Sequence, residues 1–220
     1  MRRVPASASP RHEQLLDQLT ALFLAEGFAQ FTLSDIAKRL RCSKSTLYAL
    51  GHSKERVTVV AVLRFFQTAT THVEARAAAE TEPDARIAAY LGAVADELRL
   101  ASESFIDDVA RHPAARAVYE RNTRLAAERV RAMIADGVAT GAFREVHGAF
   151  VADTVAATMV RIQSGEVAAR TGLSDAQAYD ELASLVLNGI RSERSHAAIR
   201  RERRSALRAT VGGSPTRRAT

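Results

Sequence analysis

The sequence has very few of the residues that mark secreted or membrane-spanning proteins. It contains one cysteine, Cys42, and no tryptophan, and aromatic residues make up only 5% of its 220 positions. A single cysteine cannot form an internal disulfide and is typical of a reducing compartment. The apolar runs are far too short to cross a bilayer, and the opening MRRVPASASPRH lacks the apolar core of a signal peptide. We therefore expect a cytoplasmic protein without a membrane helix.

Enzyme signatures are missing as well. There is no phosphate-binding glycine loop, no G-x-S-x-G, no H-E-x-x-H and no cluster of cysteine and histidine that could bind zinc. The six histidines are scattered, and His112, beside Asp107 and Asp108, fits a charged surface better than a metal site. We predict a protein that is not an enzyme, with no catalytic residue, no cofactor and no metal.

What the sequence does have is a helical pattern along most of its length. Abundant alanine and scarce aromatic residues favour helices over a β-sandwich or barrel, and no segment keeps the alternation of a strand. We predict an all-α fold of about nine helices. After the first fifty residues, apolar spacing places helices at 54–79, 85–101, 114–137, 148–161 and 174–190, with a link at 80–84 and a short helix after Ser102 or Ser104.

Residues 32–54, TLSDIAKRLRCSKSTLYALGHSK, predict a helix-turn-helix. Thr32 and Asp35 have capping-box spacing, so a short helix should run from residue 33 to about 40. Ser43 can cap a second helix, 44–50, which Gly51 is expected to end with a left-handed backbone. Two such short helices need a third to close their core, and residues 12–26 supply an amphipathic one.

The second of these helices has the surface of a DNA-reading element. Leu47 is the one large side chain that must point inward, which leaves Lys44, Ser45, Thr46 and Tyr48 facing out. A short polar helix of this kind fits the major groove, where such side chains reach base edges and phosphates. A protein-binding module, in which Tyr48 covers an apolar patch, is the alternative.

The segments LFLAEGFAQFTLSDIAKRL, SKSTLY and the following SK resemble the TetR family of one-component transcriptional regulators. The resemblance implies an N-terminal helix-turn-helix domain, with base-reading roles for Lys44 and Ser45. It also implies phosphate contacts for Thr46, Tyr48 and Lys54. Leu50 and Gly51 depart from the family pattern, which has His or Tyr and then Phe, and this leaves the angle of the recognition helix open. The candidate DNA-binding residues are Thr32, Lys44, Ser45, Thr46, Tyr48, His52 and Lys54.

Charge divides the chain into unlike parts. The net charge is +4 over residues 1–60, −5 over 61–190 and +7 over 191–220. A basic head on an acidic body is typical of a DNA reader with a separate second domain. We predict a disordered arm at 1–11, the DNA-binding domain at 12–56, an effector-binding and dimerisation domain at 57–191 and a basic, disordered tail at 192–220. The tail is either solvated or adds sequence-independent DNA affinity.

The resemblance also implies how the body works. It predicts a homodimeric repressor that leaves a palindromic operator when a small-molecule effector binds among its helices. A helical protein–protein adaptor that has lost operator binding is the alternative. Candidate effector-binding residues are Phe66, Tyr90, Phe105, Tyr119, Met159 and Arg161. Candidate dimer-interface residues, which could equally fill the core of a single chain, are Val155, Met159, Leu182, Val186 and Ile190.

Overall fold

The computed structural model describes residues 10–144 and 146–190, and all the helices and loops below lie within those ranges. The predicted all-α fold is confirmed, with ten helices in the described part. They are α1 (Pro10–Glu26), α2 (Leu33–Arg39), α3 (Lys44–Leu50), α4 (Lys54–Ala78), α5 (Pro83–Arg99), α6 (Glu103–Arg111), α7 (Pro113–Ala139), α8 (Gly148–Gln163), α9 (Glu166–Thr171) and α10 (Asp175–Ile190). No helix in those ranges has the length and apolarity that a bilayer crossing requires.

Helices α1 to α3 form the predicted head, and local capping explains two of their starts. Thr32 caps α2 through a complete capping box with Asp35. The Ser43 side chain accepts a hydrogen bond from the amide of Thr46 at the start of α3. Each cap satisfies an amide that the first helical turn would otherwise leave unpaired. The predicted helix-turn-helix is therefore confirmed.

The expectation for the end of α3 was wrong. Gly51 has φ −174°, which is extended backbone, whereas the left-handed residue of this region is Arg41, with φ 49°, in the turn between α2 and α3. Glycine is needed at position 51 for another reason. A Cβ atom there would lie 2.8 Å from the amide nitrogen of Val57, because the start of α4 passes close by.

The core of the head contains one more inward residue than we expected. Leu47 is fully buried as predicted, but Leu50 is buried too. Together they hold α3 on a core that includes Leu19, Phe23 and Ile36. An aliphatic side chain thus packs at the point where the family pattern has an aromatic one.

Helix α4 joins the head to the body, in which α5, α7, α8 and α10 pack together. Its buried side chains include Val57, Val62 and Phe66, and they cover more than one face because α4 packs on α1, α5 and α7. Two helix starts differ from the prediction. Pro83 is the first residue of α5 and not the centre of a link, which suits its fixed φ and missing amide hydrogen. Helix α1 begins at Pro10, two residues earlier than predicted.

Helix α9 was not predicted. It has no buried residue, so it shows no apolar stripe, and left-handed glycines stand at both ends, Gly165 with φ 77° and Gly172 with φ 74°. Four large apolar residues in the body helices are exposed. They are Leu125, Phe150, Val160 and Leu185. The first nine residues of the predicted arm, and the tail, lie outside the described residues.

A carboxylate on α6 contributes to the attachment of the head to the body. Oδ2 of Asp108, on α6, accepts hydrogen bonds from the amides of Phe28 (2.6 Å) and Ala29 (2.8 Å) in the turn after α1. The ring of Phe28 meets Phe105 edge-on at 6.1 Å, and the amide of Ser102 donates to the carbonyl of Leu24 at 2.8 Å. Polar and apolar contacts therefore hold the same turn against α6.

Gly27 makes this close approach possible. Its φ is +75°, a region that residues with a Cβ rarely adopt, and a Cβ atom there would lie 2.6 Å from Oδ2 of Asp108. The turn can present two successive amides to the carboxylate because no side chain stands between them.

Replacing Asp108 with alanine should destabilise the protein. The substitution leaves two backbone amides without their charged acceptor, and we expect a loss of about 2 kcal/mol in the free energy of unfolding, measured by urea denaturation. The matched control is Asp107→Ala on the same helix, whose carboxylate pairs with Arg111 on the exposed surface and whose loss should cost less than about 0.5 kcal/mol. Equal effects of the two substitutions would contradict the fastening role of Asp108.

Candidate nucleic-acid interface and ligand cavity

The recognition helix α3 presents a polar face to solvent. Lys44 and Ser45 are exposed, and Tyr48 is 42% exposed, a large fraction for an aromatic side chain. These three side chains point away from the core because Leu47 and Leu50 fix the opposite face. The structure therefore brings the predicted base-reading residues and the Tyr48 hydroxyl onto one accessible surface.

Three hydroxyl groups meet in the first turn of α3. Oγ of Ser43 lies 2.7 Å from Oγ of Ser45 and 2.7 Å from Oγ1 of Thr46. Ser43 is committed to capping the helix, and Thr46 is half-buried beside it. Hydroxyls that share protons in this way can turn a donor toward an approaching phosphate oxygen.

The other predicted DNA-binding residues lie around α3. The exposed Thr32 donates its hydroxyl to Oδ2 of Asp35 at 2.6 Å, and this bond lowers the pKa of the Asp35 carboxyl. His52 is exposed in the link to α4. Nζ of Lys54 donates to the carbonyl of Ala29 at 2.9 Å. Lys54 thus ties the start of α4 to the turn that Asp108 holds, and its ammonium keeps two further protons for other acceptors.

A cavity of about 120 Å³ lies in the body between α4, α5, α7 and α10. Five aromatic side chains contribute to its wall, and among them the rings of Phe66 and Tyr119 are stacked at 4.9 Å with an angle of 25° between their planes. The aromatic lining residues are Phe65, Phe66, Tyr90, Tyr119 and Tyr179. Phe66, Tyr90 and Tyr119 were among the predicted effector-binding residues.

The other three predicted effector-binding residues lie elsewhere. Phe105 packs edge-on against Phe28 and Phe65 at the junction between head and body. Met159 is fully buried in α8. Arg161 lies on the surface, where it pairs with Glu166 at 3.0 Å. An apolar pattern identifies buried residues, but which of them border a void depends on how the helices meet.

Most polar groups around the cavity are paired. Nε of Arg129 donates to both carboxylate oxygens of Glu74, at 3.0 and 3.1 Å. The Tyr119 hydroxyl donates to Oδ2 of Asp175 at 3.0 Å. Burial raises the pKa of the Asp175 carboxyl, and it raises the pKa of the Tyr119 phenol well above its ordinary value, so Tyr119 is a neutral donor.

One buried polar group at the cavity has no partner within the described residues. Thr123, on α7, is only 2% exposed, and its Oγ1 atom makes no hydrogen bond there. No sequence pattern indicated that Thr123 would be buried at a cavity. Neither Tyr179 at the cavity nor Asp108 at the turn after α1 was predicted to have a specific role.

The predicted dimer-interface residues are buried within the single chain. Val155, Met159 and Leu182 are each at most 5% exposed, and Val186 and Ile190 are similarly covered. Beside them runs an apolar groove between α8 and α10, at which Phe150 and Leu185 are 70% and 73% exposed. Val155, Leu182, Val186 and Ile190 line the same groove, and Phe150 and Leu185 are its exposed large apolar side chains.

Residues 15–56 match the family model described as bacterial regulatory proteins, tetR family. The chain carries the N-terminal domain of the TetR family. The match covers most of α1, all of α2 and α3, and the first residues of α4, in the same part of the chain as the resemblance. A comparison with curated proteins finds no match.

The TetR fold extends over the rest of the described chain. A TetR/AcrR-family regulator from Thermobifida fusca is 24% identical, with a TM-score of 0.59, over 83% of this chain and 99% of the other. A protein from Saccharomonospora viridis, solved in complex with choline, is 17% identical with a TM-score of 0.64 over 84% and 100%. The ketosteroid transcriptional regulator KstR2 of Mycobacterium tuberculosis is 19% identical with a TM-score of 0.54 over 86% and 100%. The predicted resemblance is confirmed, and the chain has the fold of a DNA-binding transcriptional regulator.

No group of three or more His, Cys, Asp or Glu side chains that could hold a metal ion occurs within residues 10–144 and 146–190.

Substitutions on α3 should separate base reading from phosphate binding. Lys44→Ala is expected to change the sequence preference, with a loss of about 1–3 kcal/mol on the preferred duplex and little on unrelated ones. Tyr48→Phe removes one hydroxyl and should weaken binding to every duplex alike. Fluorescence anisotropy with a set of base-substituted duplexes measures both effects.

The control for these variants is Arg111→Ala, which removes one positive charge from the exposed surface of α6. It should leave both affinity and preference nearly unchanged. A uniform loss over all duplexes for Lys44→Ala would exclude base reading by Lys44.

Proposed function

We propose that this protein is a homodimeric transcriptional repressor that binds a palindromic operator and leaves it when a small molecule enters the cavity. The observation that carries the proposal is the course of α4. Its first residue, Lys54, is bonded to the head, whereas Phe66 and Glu74 farther along the same helix line the cavity. A single helix therefore touches both the DNA-binding unit and the ligand site.

The recognition helix supports operator binding. Its exposed face combines a lysine, hydroxyl groups and a tyrosine, and residues 1–60 carry a net charge of +4. In a two-fold dimer, two such helices would enter successive major grooves about 34 Å apart. The operator would then have two inverted half-sites.

The groove between α8 and α10 supports the dimer. Exposed Phe150 and Leu185 border it, and a second copy would bury them in a four-helix interface. Large apolar side chains exposed together commonly mark an interface. The predicted residues Val155, Leu182 and Val186 would form the layer beneath this contact.

Release follows from the link through α4. A ligand that fits the cavity better when α4 is displaced would shift Lys54 and the head, and so change the spacing of the two recognition helices. The coupling is reciprocal. Operator DNA must lower the affinity for the ligand by the same factor by which the ligand lowers the affinity for the operator. The choline complex of the Saccharomonospora protein supports a ligand site in a protein of this fold.

The adaptor alternative has less support. It depended on Leu50 and Gly51, and both are accounted for by packing, since Leu50 is buried and Gly51 lets the start of α4 approach.

DNA flanking the protein's own gene provides the first test. Binding of the purified chain should be sequence-selective in the presence of nonspecific competitor, and its affinity should fall steeply as salt rises. An affinity that disappears when competitor is added would favour the adaptor.

A charge on the α8–α10 face should break the dimer. Leu185→Asp is expected to convert a dimer to a monomer in sedimentation experiments and to reduce operator affinity at least tenfold, because only one half-site is then held. Leu100→Asp, at another exposed leucine at the end of α5, is the matched control and should remain dimeric. A dimer that survives Leu185→Asp would place the interface elsewhere.

A further inference from the structure

We propose that the effector is a small, neutral ring compound with one carbonyl group, such as a cyclic ketone, whose oxygen accepts hydrogen bonds from the hydroxyls of Tyr90 and Tyr179. This inference rests on the proposed function, because it names the chemical class of the ligand for the same cavity. It is carried by two tyrosine hydroxyls without a partner, by the charges in the cavity wall and by the volume of the cavity.

Two of the tyrosines that line the cavity have unused hydroxyl groups. Tyr90 and Tyr179 are only 4% and 2% exposed, yet neither hydroxyl makes a hydrogen bond within residues 10–144 and 146–190. Both oxygens keep some accessible surface, since Oγ1 of Thr123 is the one unpaired side-chain oxygen or nitrogen that is fully enclosed in that part of the chain. Both tyrosines line the cavity, so a molecule held there can reach their oxygens, whereas it cannot reach Oγ1 of Thr123.

The two hydroxyls are neighbouring donors. Tyr90 lies on α5 and Tyr179 on α10, and these two helices pack on each other. Burial raises the pKa of both phenols above the ordinary value, and for Tyr179 the nearby Asp175 and Tyr90 add to this effect. Both groups are therefore protonated at neutral pH and can donate. Tyr119, the third tyrosine of the wall, already donates to Asp175.

A carbonyl oxygen matches two neighbouring donors. It has two lone pairs, so it can accept a hydrogen bond from each tyrosine, and it brings no donor that would need an acceptor of its own. The acceptors of the wall are largely engaged. Glu74 accepts from Arg129, and Oδ1 of Asn122 accepts from Thr70. An alcohol would add a third donor to this wall, and a hydrocarbon would leave both tyrosine protons unpaired.

The charged lining residues disfavour ionic ligands. Glu74 and Glu97 outnumber Arg129, so a carboxylate would meet a net negative wall. A cation would meet carboxylates that already have partners, because Arg129 binds both oxygens of Glu74 and Nδ1 of His72 lies 2.8 Å from Oε1 of Glu97. A cation held against the aromatic faces would also leave both tyrosine protons unpaired. A neutral carbonyl compound disturbs neither ion pair.

The volume and the wall favour a single small ring. The cavity measures about 120 Å³, and an engineered apolar cavity of about 150 Å³ is known to hold benzene. The stacked rings of Phe66 and Tyr119 provide a flat part of the wall, and Val94 and Leu98 add apolar surface. The hydrocarbon part of a cyclic ketone can be buried against these side chains.

The test measures binding to the purified full chain, without DNA, by isothermal titration calorimetry. The probes are cyclopentanone, its near-isostere methylenecyclopentane, cyclopentanol, cyclopentanecarboxylate and the N,N-dimethylpyrrolidinium cation. Cyclopentanone should bind about tenfold more tightly than methylenecyclopentane, the equivalent of two neutral hydrogen bonds. The alcohol, the carboxylate and the cation should each bind at least about threefold more weakly than the ketone.

Tyr90→Phe and Tyr179→Phe are the decisive variants. Each removes one unpaired hydroxyl and keeps the ring, so the melting temperature should not fall. Each should lower the preference for cyclopentanone over methylenecyclopentane by about threefold. The double variant should abolish that preference and keep the affinity for methylenecyclopentane. The matched control is Tyr119→Phe, which removes a hydroxyl that is already bonded to Asp175. It should lower the stability and leave the preference unchanged.

Infrared spectroscopy reads the hydrogen bonds directly. The carbonyl stretching band of isotope-labelled cyclopentanone should move to lower wavenumber on binding, because hydrogen bonds to the oxygen weaken the C=O bond. The band should move less far in either single variant. A change in cavity shape alone would not produce this stepwise dependence on the two hydroxyls.

The inference fails if methylenecyclopentane, cyclopentanol or either ion binds as tightly as cyclopentanone, if the double variant keeps the preference, or if none of the probes binds. Operator release is measured separately, by anisotropy with the same probes. If cyclopentanone binds as expected but leaves operator affinity unchanged, the ligand class stands and effector-driven release fails.

Discussion

The position of the DNA-binding head depends on two backbone amides that share one carboxylate oxygen. The Asp108 carboxylate accepts hydrogen bonds from the amides of Phe28 and Ala29. The carbonyl of Ala29 accepts a hydrogen bond from the ammonium group of Lys54. A turn of a few residues is thus held from α6 on one side and from the start of α4 on the other. Because hydrogen bonds to a carboxylate are directional, these contacts restrict the orientation of the turn as well as its distance from α6.

The same arrangement connects the cavity to the head by a short physical route. The ring centroids of Phe65 and Phe105 are 5.7 Å apart, and the Phe105 ring also meets the ring of Phe28. The amide of Phe28 donates a hydrogen bond to Asp108. Phe65 also lines the cavity. Packed rings transmit small displacements because the interior has little free volume to absorb them. In the proposed mechanism these contacts would link the cavity to the head, and linked binding sites usually couple by about 1–3 kcal/mol.

Sequence reasoning worked where the cause of structure is local, and failed where distant helices meet. The starts of α2 and α3 could be predicted because Thr32, Asp35 and Ser43 cap them through hydrogen bonds between residues three positions apart. Leu50 and Gly51 could not be interpreted in that way, because their surroundings are set by α4. Phe66 and Phe105 look alike in sequence, yet only Phe66 borders the cavity, since α7 places Tyr119 against it. The roles of Asp107 and Asp108 could not be distinguished in the sequence, because only the folded chain brings the turn after α1 to Asp108.

The way α3 is anchored has a consequence for how such regulators diverge. Only Leu47 and Leu50 of its seven residues are buried, so its outward positions can mutate with little effect on folding stability. After a gene duplication, the two copies could acquire different operators through surface substitutions alone. The turn at Gly27 allows less freedom, because its left-handed backbone and its close approach to Asp108 leave no room for a Cβ atom. Relatives of this protein should therefore differ more in the exposed side chains of α3 than in the turn at Gly27.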